Sequence, residues 1–430
     1  MKSKTYFVSS INGSDSNDGL SPDTAFETLG KINEIKLVPG DKVLLEKDSV
    51  FSNQYLHIKS CGKFGEDIIE ITSYGDGENM PRIDADSNGV WYQDYGQPLD
   101  YKGHVYKGDV SSAILLYDTE NIYIHDIEIT NYEQYTTPEA YSAPHKMDRT
   151  GVAVVAQNAG TLHSITLGRL YIHDVNGNVY NKHMNNGGIY MTAFKPENEA
   201  ETGVARYDGV TVKDCHIENV SRWGIAVGYT YNHSRFSTKA LDEETFLKYG
   251  NENISIVNNF VKNAGGDAIT PMYALRPLTE HNVSISCALE MNDRIYAYPE
   301  KRMGKVAAAI WPWKCKDAVF RFNEAYDTRL NQDGMAYDSD SGDGTVYEYN
   351  YSRLNEGGCI MFCMQEAIHN TFRNNVSYDD LGGLISPVKN PDALVTNNKF
   401  YKRQSVPLLR KKMKSGKVKL ENNEIIIIEE

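Results

Sequence analysis

Basic clusters are scarce in this chain. Its 430 residues carry 44 Lys and Arg against 58 Asp and Glu, a formal charge of −14, so that carboxylates set its sign and crowded cations do not. A phosphate-tracking groove needs such crowding, so nucleic acid is not expected as a partner. The acidity reads first as solubility. Long apolar runs are missing as well. MKSKTYF is followed at once by polar VSSINGSDSND, which leaves no room for the apolar stretch of a secretion signal. No later run is long enough to span a membrane. The expectation is a cytoplasmic protein with no membrane partner. The six cysteines (Cys61, Cys215, Cys287, Cys315, Cys359, Cys363) form no CxxC pair, which favours buried thiols over a disulfide framework or a zinc site. GxSxG, Walker, dinucleotide and HExxH motifs are all absent, so those chemistries have no foothold. Proline is sparse at 14, whereas Tyr (29) and Gly (34) are plentiful, a balance that suits β architecture.

What the chain does have is a repeated phrase. Gly or Ala opens a short apolar alternation in TGVAVVA at Thr150, GGIYMTA at Gly187, WGIAVGY at Trp223 and DAITPMY at Asp267. It returns in AAAIWPW at Ala307, DGMAYDSD at Asp333, GGCIMFC at Gly357 and GGLISPV at Gly382. The late starts at Gly334, Gly358 and Gly383 lie 24 and 25 residues apart. Longer early intervals point to insertions, at 134–150, 192–205, 229–250 and 274–305. Between these phrases runs a second one centred on Asn or Asp, as in ISIVNNFVKNAG, AVFRFNEAYD and TVYEYNYSRLN. Each reads as strand, polar turn, strand. Such periods mean a solenoid, and asparagines recurring at one internal position suit amide ladders at its corners. The expected fold is all-β, a right-handed parallel β-helix forming one domain over 1–430. An N-terminal cap covers about 1–40, with a helix near 25–35 that shields the first coil's open edge.

The opening YFVSSINGSDSNDGLSPDTAFETL, with PGDKVLLEKDSVF, resembles the start of pectate-lyase-like β-helix carbohydrate enzymes. The block from Ile310 to Phe362, IWPWKCKDAVFRFNEAYDTRLNQDGMAYDSDSGDGTVYEYNYSRLNEGGCIMF, is similar to β-helix proteins grouped with glycoside hydrolases. The resemblance spans most of the chain and implies the fold and a carbohydrate substrate. The superfamily holds hydrolases, lyases, epimerases and phage tailspikes, so it does not by itself fix the reaction.

Register then points the acidic cluster. If the aliphatic residue after Gly or Ala faces the core (Ile189, Ile225, Ile269, Ile310, Met335, Cys359), alternation sends neighbouring positions outward. The outward set is then Trp311 and Trp313, Ala336 and Asp338, Ile360 and Phe362, with Asp340 one step further. Asp338 and Asp340 should carry carboxyls roughly 6–7 Å apart, near the span of a glycosidase acid/base pair. Asp333 and Asp267 share another register and serve as partners or alternates. Trp311 and Trp313 are expected to form a sugar platform, with Lys314, Arg329, Glu356, Tyr229 and His233 around it. His183, beside the Gly188 strand, is a softer candidate.

The expected activity is a glycoside hydrolase on an oligo- or polysaccharide, exo-acting because the insertions can close a groove into a pocket. It requires no cofactor. A second reading draws on Asp338-Ser-Asp340-Ser-Gly-Asp343 as a calcium set (Asp338, Asp340, Asp343). It makes the chain a lyase on uronic-acid glycans, with Lys314 or Arg329 as base. A third is a non-catalytic glycan-binding β-helix. A homo-oligomer is compatible with all three.

Overall fold

The computed structural model describes residues 2–99, 104–133, 147–179, 181–237, 240–291, 306–411 and 414–429. Much of the expected insertions 134–150 and 274–305, and the centre of 229–250, therefore lies outside the described residues. The chain coils into a right-handed parallel β-helix with three faces. One sheet of 14 strands runs from Thr5–Val8 to Lys419–Glu421, and a second of 12 runs from Val50–Ser52 to Glu424–Ile428. The third face is broken. A seven-stranded sheet ends at Ile269–Pro271, and a three-stranded sheet resumes with Met335–Asp340, Gly358–Cys363 and Ile385–Val388. Among the described strands only Val90–Asp94, against Lys107–Tyr117, pairs antiparallel. Across the break, Ile310 and Trp313 connect the two halves by isolated bridges to Ile269 and Met272 on one side and to Tyr337 and Asp340 on the other.

Alternation builds the interior. Directly paired residues in a parallel sheet face the same way. One inward column therefore runs Ile114, Val152, Ile189, Ile225, Ile269, Ile310, Tyr337, Ile360 and Ile385. All nine are fully buried, in a core that continues from Tyr6 to Val406.

The corners are held by asparagine. Asn259, Asn282, Asn323, Asn350, Asn375, Asn398 and Asn423 form a ladder in which each side-chain amide donates to the Oδ1 of the next at 2.9–3.1 Å. Each Oδ1 also accepts the backbone N–H of the preceding asparagine. Backbone groups that a tight corner would leave unpaired are thus satisfied.

The N-terminal cap is smaller than the expected helix. A 3-10 turn at Pro22–Thr24 precedes a five-residue helix, Leu29–Asn33, whose Leu29 and Ile32 are buried. Ala25 and Phe26 are instead extended: Phe26 bridges Val8, its N–H donating to Phe7 and its carbonyl accepting from Ser9. The open edge of the first strand recruits these residues as a pairing partner, and that outweighs their helical propensity.

Candidate active site

The break in the third sheet positions the site. Trp311 aligns with Asp338 and Trp313 with Asp340, because Tyr337 takes the inward slot beside Ile310. The register expected from the glycine phrase was two residues off here: Gly334 is followed by an additional pair, Met335 and Ala336, before the chain joins the column. One coil on, Ile360 and Phe362 face the core, contrary to expectation, and Met361 and Cys363 share the outward face with Asp338 and Asp340. The N–H groups of Cys359 and Ile360 both donate to the Leu384 carbonyl. That irregularity shifts the alternation by one.

Two carboxyls share this face, and Asp333, just before the strand, is near enough to interact with both. Asp338 is 4% exposed, and its buried Oδ1 finds no hydrogen-bond donor among the described residues. Burial, then the charges of Asp340 and Asp333, push its pKa well above the ordinary carboxylate range. Asp333 is half-buried, and burial followed by Asp340 raises it to about 7. Asp340 is half-buried and accepts a hydrogen bond from the Ser341 hydroxyl at 2.6 Å. Burial raises it too, but Ser341, Lys182 and Lys314 oppose that shift. Repulsion within the cluster is mutual, and Asp340 is the member with a hydroxyl donor and two ammonium groups set against its burial. It is the first of the three to ionise. Oxygens of Asp338 and Asp340 and the Cys363 sulfur all lie within 4.8 Å of one another.

Asp267 has a different character. It and Arg222 are fully buried and paired at 2.9 Å. The other oxygen of Asp267 accepts the Ala308 N–H at 3.1 Å and the Trp311 indole N–H at 2.9 Å. The carboxylate is therefore occupied on both oxygens, and Trp311, 3% exposed, is pinned edge-on to it. Trp313 is the half-buried one of the pair. His183 stacks at 5.3 Å on Trp313 and at 4.2 Å on Tyr229, which in turn stacks on His233 at 6.3 Å. Burial drives the His183 imidazole well below its usual pKa, so it is neutral. Lys182, next in sequence, holds its ammonium 4.8 Å from the Trp313 ring centre.

The remaining expected residues disperse. Lys314 donates to the Ser237 hydroxyl at 3.1 Å, close enough to Asp340 to favour its charge. Arg329 and Glu356 pair with each other at 3.1 Å, Arg329 also reaching Asp327 at 3.0 Å. The calcium set does not assemble. Asp343 spends its oxygens on Lys316 at 3.0 Å and His369 at 2.9 Å, and Cys363 stands where the third ligand would be. A thiol whose pKa burial pushes well up is no ligand for a hard cation.

Lys182, Arg222, Cys363 and Arg410, which donates to the Asp333 carbonyl at 2.9 Å, carry no sequence signal as site residues. They arrive from four different coils. Position offers one hint: Arg222 falls directly before the phrase at Trp223, and Lys182 five residues before the one at Gly187.

No family model matches the chain. It is 43% identical to a lacto-N-biosidase of Bifidobacterium longum over 97% of its own length, but spans only 28% of that curated relative. A solved glycoside hydrolase superposes with a TM-score of 0.52 at 11% identity, over 98% of this chain and 97% of that one, which shows the shared fold. The crystal structure of a GH136 lacto-N-biosidase from Eubacterium ramulus superposes with a TM-score of 0.95 at 58% identity, covering 99% of this chain and 68% of that one. On that similarity the chain belongs to glycoside hydrolase family GH136.

Proposed function

We propose that this chain is an exo-acting glycoside hydrolase that releases the disaccharide lacto-N-biose from the end of an oligosaccharide. The relatives' names supply the substrate class. The observation that carries the chemistry is a pair of half-buried carboxyls in unlike surroundings, Asp340 held by the Ser341 hydroxyl and Asp333 without such a donor among the described residues. A carboxylate-pair glycosidase needs one acid to protonate the leaving oxygen and one carboxylate at the anomeric carbon. Asp333, raised to about 7, keeps its proton near neutrality and is the general acid. Asp340, first to ionise and held by Ser341, is the carboxylate. Asp338 lies deeper and stays protonated, so it adds no second negative charge beside Asp340. Asp267 acts one step removed, anchoring Trp311 through its indole N–H.

The exo assignment draws on the aromatic wall and the insertions. Tyr229, His183 and Trp313 stack on one another. The short helices Glu199–Thr202 and Glu243–Tyr249 lie in the insertions beyond them. Such closure suits recognition of a chain end rather than the middle of a polymer.

Turnover of an oligosaccharide terminated by lacto-N-biose, followed by chromatography of the released disaccharide, tests this reading. Asp340→Asn and Asp333→Asn should each abolish release while leaving the fold intact. Full activity in either variant would overturn the assignment. A lyase would instead give an ultraviolet-absorbing unsaturated product.

A further inference from the structure

Lys182 is only 6% exposed, and its ammonium has no hydrogen-bond acceptor among the described residues. It lies 4.8 Å from the ring centre of Trp313, 5.4 Å from that of Trp311 and 5.9 Å from that of Trp223. Indole faces attract a cation, but they do not replace three N–H···O bonds. The Nζ itself is not sealed from solvent, so its donors open onto space that a ligand oxygen can enter. The charged groups facing it are Asp267, Asp333 and Asp340, which favour its charge, and Arg222, which opposes it. Asp267 is already committed to Arg222, Trp311 and the Ala308 N–H. That leaves the ammonium between the tryptophans and the two reachable carboxyls, with donors to spare.

We propose that Lys182 is a substrate-positioning residue whose ammonium donates hydrogen bonds to an uncharged oxygen of the sugar seated against Trp313. The inference rests on the glycosidase reading above. An uncharged oxygen is the fitting acceptor, because the ionised Asp340 beside the same space would repel an anionic sugar. In the same position the ammonium holds Asp340 anionic. Asp340 is also faced by Lys314, by Glu366, which works against its charge, and by Cys363 and Asp338.

The test compares Lys182→Met and Lys182→Arg with the wild-type chain on an oligosaccharide terminated by lacto-N-biose. Lys182→Met should lower kcat/KM by about tenfold or more, chiefly through KM. It should also move the acidic limb of the pH profile to higher pH. Because no hydrogen bond to a described residue is lost, the melting temperature should change little. Lys182→Arg should return the acidic limb without restoring KM. A Lys182→Met pH profile and KM indistinguishable from wild type would overturn the proposal. So would a fallen melting temperature with unchanged kinetics, the mark of a merely structural residue. Lys182→Gln gives the same readouts should the methionine variant fold poorly. If the wild-type chain shows no turnover at all, the glycosidase reading fails. Lys182 is then judged by calorimetry with lacto-N-biose: binding weakened about tenfold in Lys182→Met upholds it, and equal binding overturns it.

Discussion

Replacing Asp267 by asparagine separates a structural carboxylate from a chemical one. Asn keeps an oxygen for the Trp311 indole and the Ala308 N–H, but it removes the charge facing Arg222, and both members of that pair are fully buried. Removing one partner from such a pair costs about 3–5 kcal/mol, since the other charge stays in a dry environment. Unfolding entropy near the midpoint scales with length, about 0.9 kcal/mol per kelvin if all 430 residues unfold together. The expected loss is therefore roughly 3–6 °C in Tm, read by calorimetry or circular dichroism. A larger drop would mean that a few coils melt as a smaller unit, as solenoids allow. Arg222→Met should be comparably destabilising, and the double variant should recover a substantial part of the loss, giving a coupling energy from the cycle. Turnover in Asp267→Asn should fall far less than in Asp340→Asn. A Tm change below about 1 °C would refute the energetic reasoning. Loss of activity as deep as in Asp340→Asn, with Tm unchanged, would put Asp267 in the chemistry.

Other outcomes follow from the same geometry. The wild-type kcat/KM profile should fall on its alkaline side near pH 7, where Asp333 gives up its proton, and Asp340→Asn should shift the ionisation of Asp333 downward by removing the neighbouring charge. Stability carries the matching sign. Asp333 is raised from 3.8 to about 7 in the folded chain, so between those values the unfolded state sheds a proton that the folded state keeps, and stability falls as pH rises through that window. Asp333→Asn should therefore raise Tm at pH 8 relative to wild type and leave it nearly unchanged at pH 4, checked by parallel melts. Asn350→Ala removes acceptor and donor from the ladder at once, stranding the Asn323 N–H and the Phe320 carbonyl. It should cost roughly 1–3 kcal/mol for each partner left unsatisfied, measured by denaturant titration. Chelator treatment should leave turnover unchanged, since Asp343 is engaged by Lys316 and His369.

The fold was largely legible in the sequence because a solenoid writes itself in period. Glycine-opened phrases mark one face, and the asparagines of VNN, FNE, YNY and RNN mark the corner where the ladder stands. Strand polarity and ladder follow from that repetition, while the number of faces comes from the structure. The cap was not legible, because Ala25 and Phe26 obey a pairing demand from Val8, which is remote in sequence. Within the site, local alternation placed Asp338 and Asp340 on one outward face, as the pairing with Met361 and Cys363 shows. It misplaced their neighbours, because Met335–Ala336 and the doubled bond to Leu384 alter the count without altering composition. Lys182, Arg222 and Arg410 were invisible for a simpler reason. A solenoid brings residues together one coil at a time, and nothing local in those stretches tells which rung they will reach.

The interrupted third sheet has a consequence for how activity is acquired. Lys182, Arg222 and Asp267 belong to coils before the interruption, whereas Asp333, Asp338 and Asp340 belong to coils after it. A chain that winds from either end builds half an active site first, and that half holds either the aromatic wall or the paired acids. Catalytic competence then appears only when the last rung across Ile310 and Trp313 closes. In a refolding experiment, turnover becomes a late clock, running behind the strand content that the two unbroken sheets have already acquired.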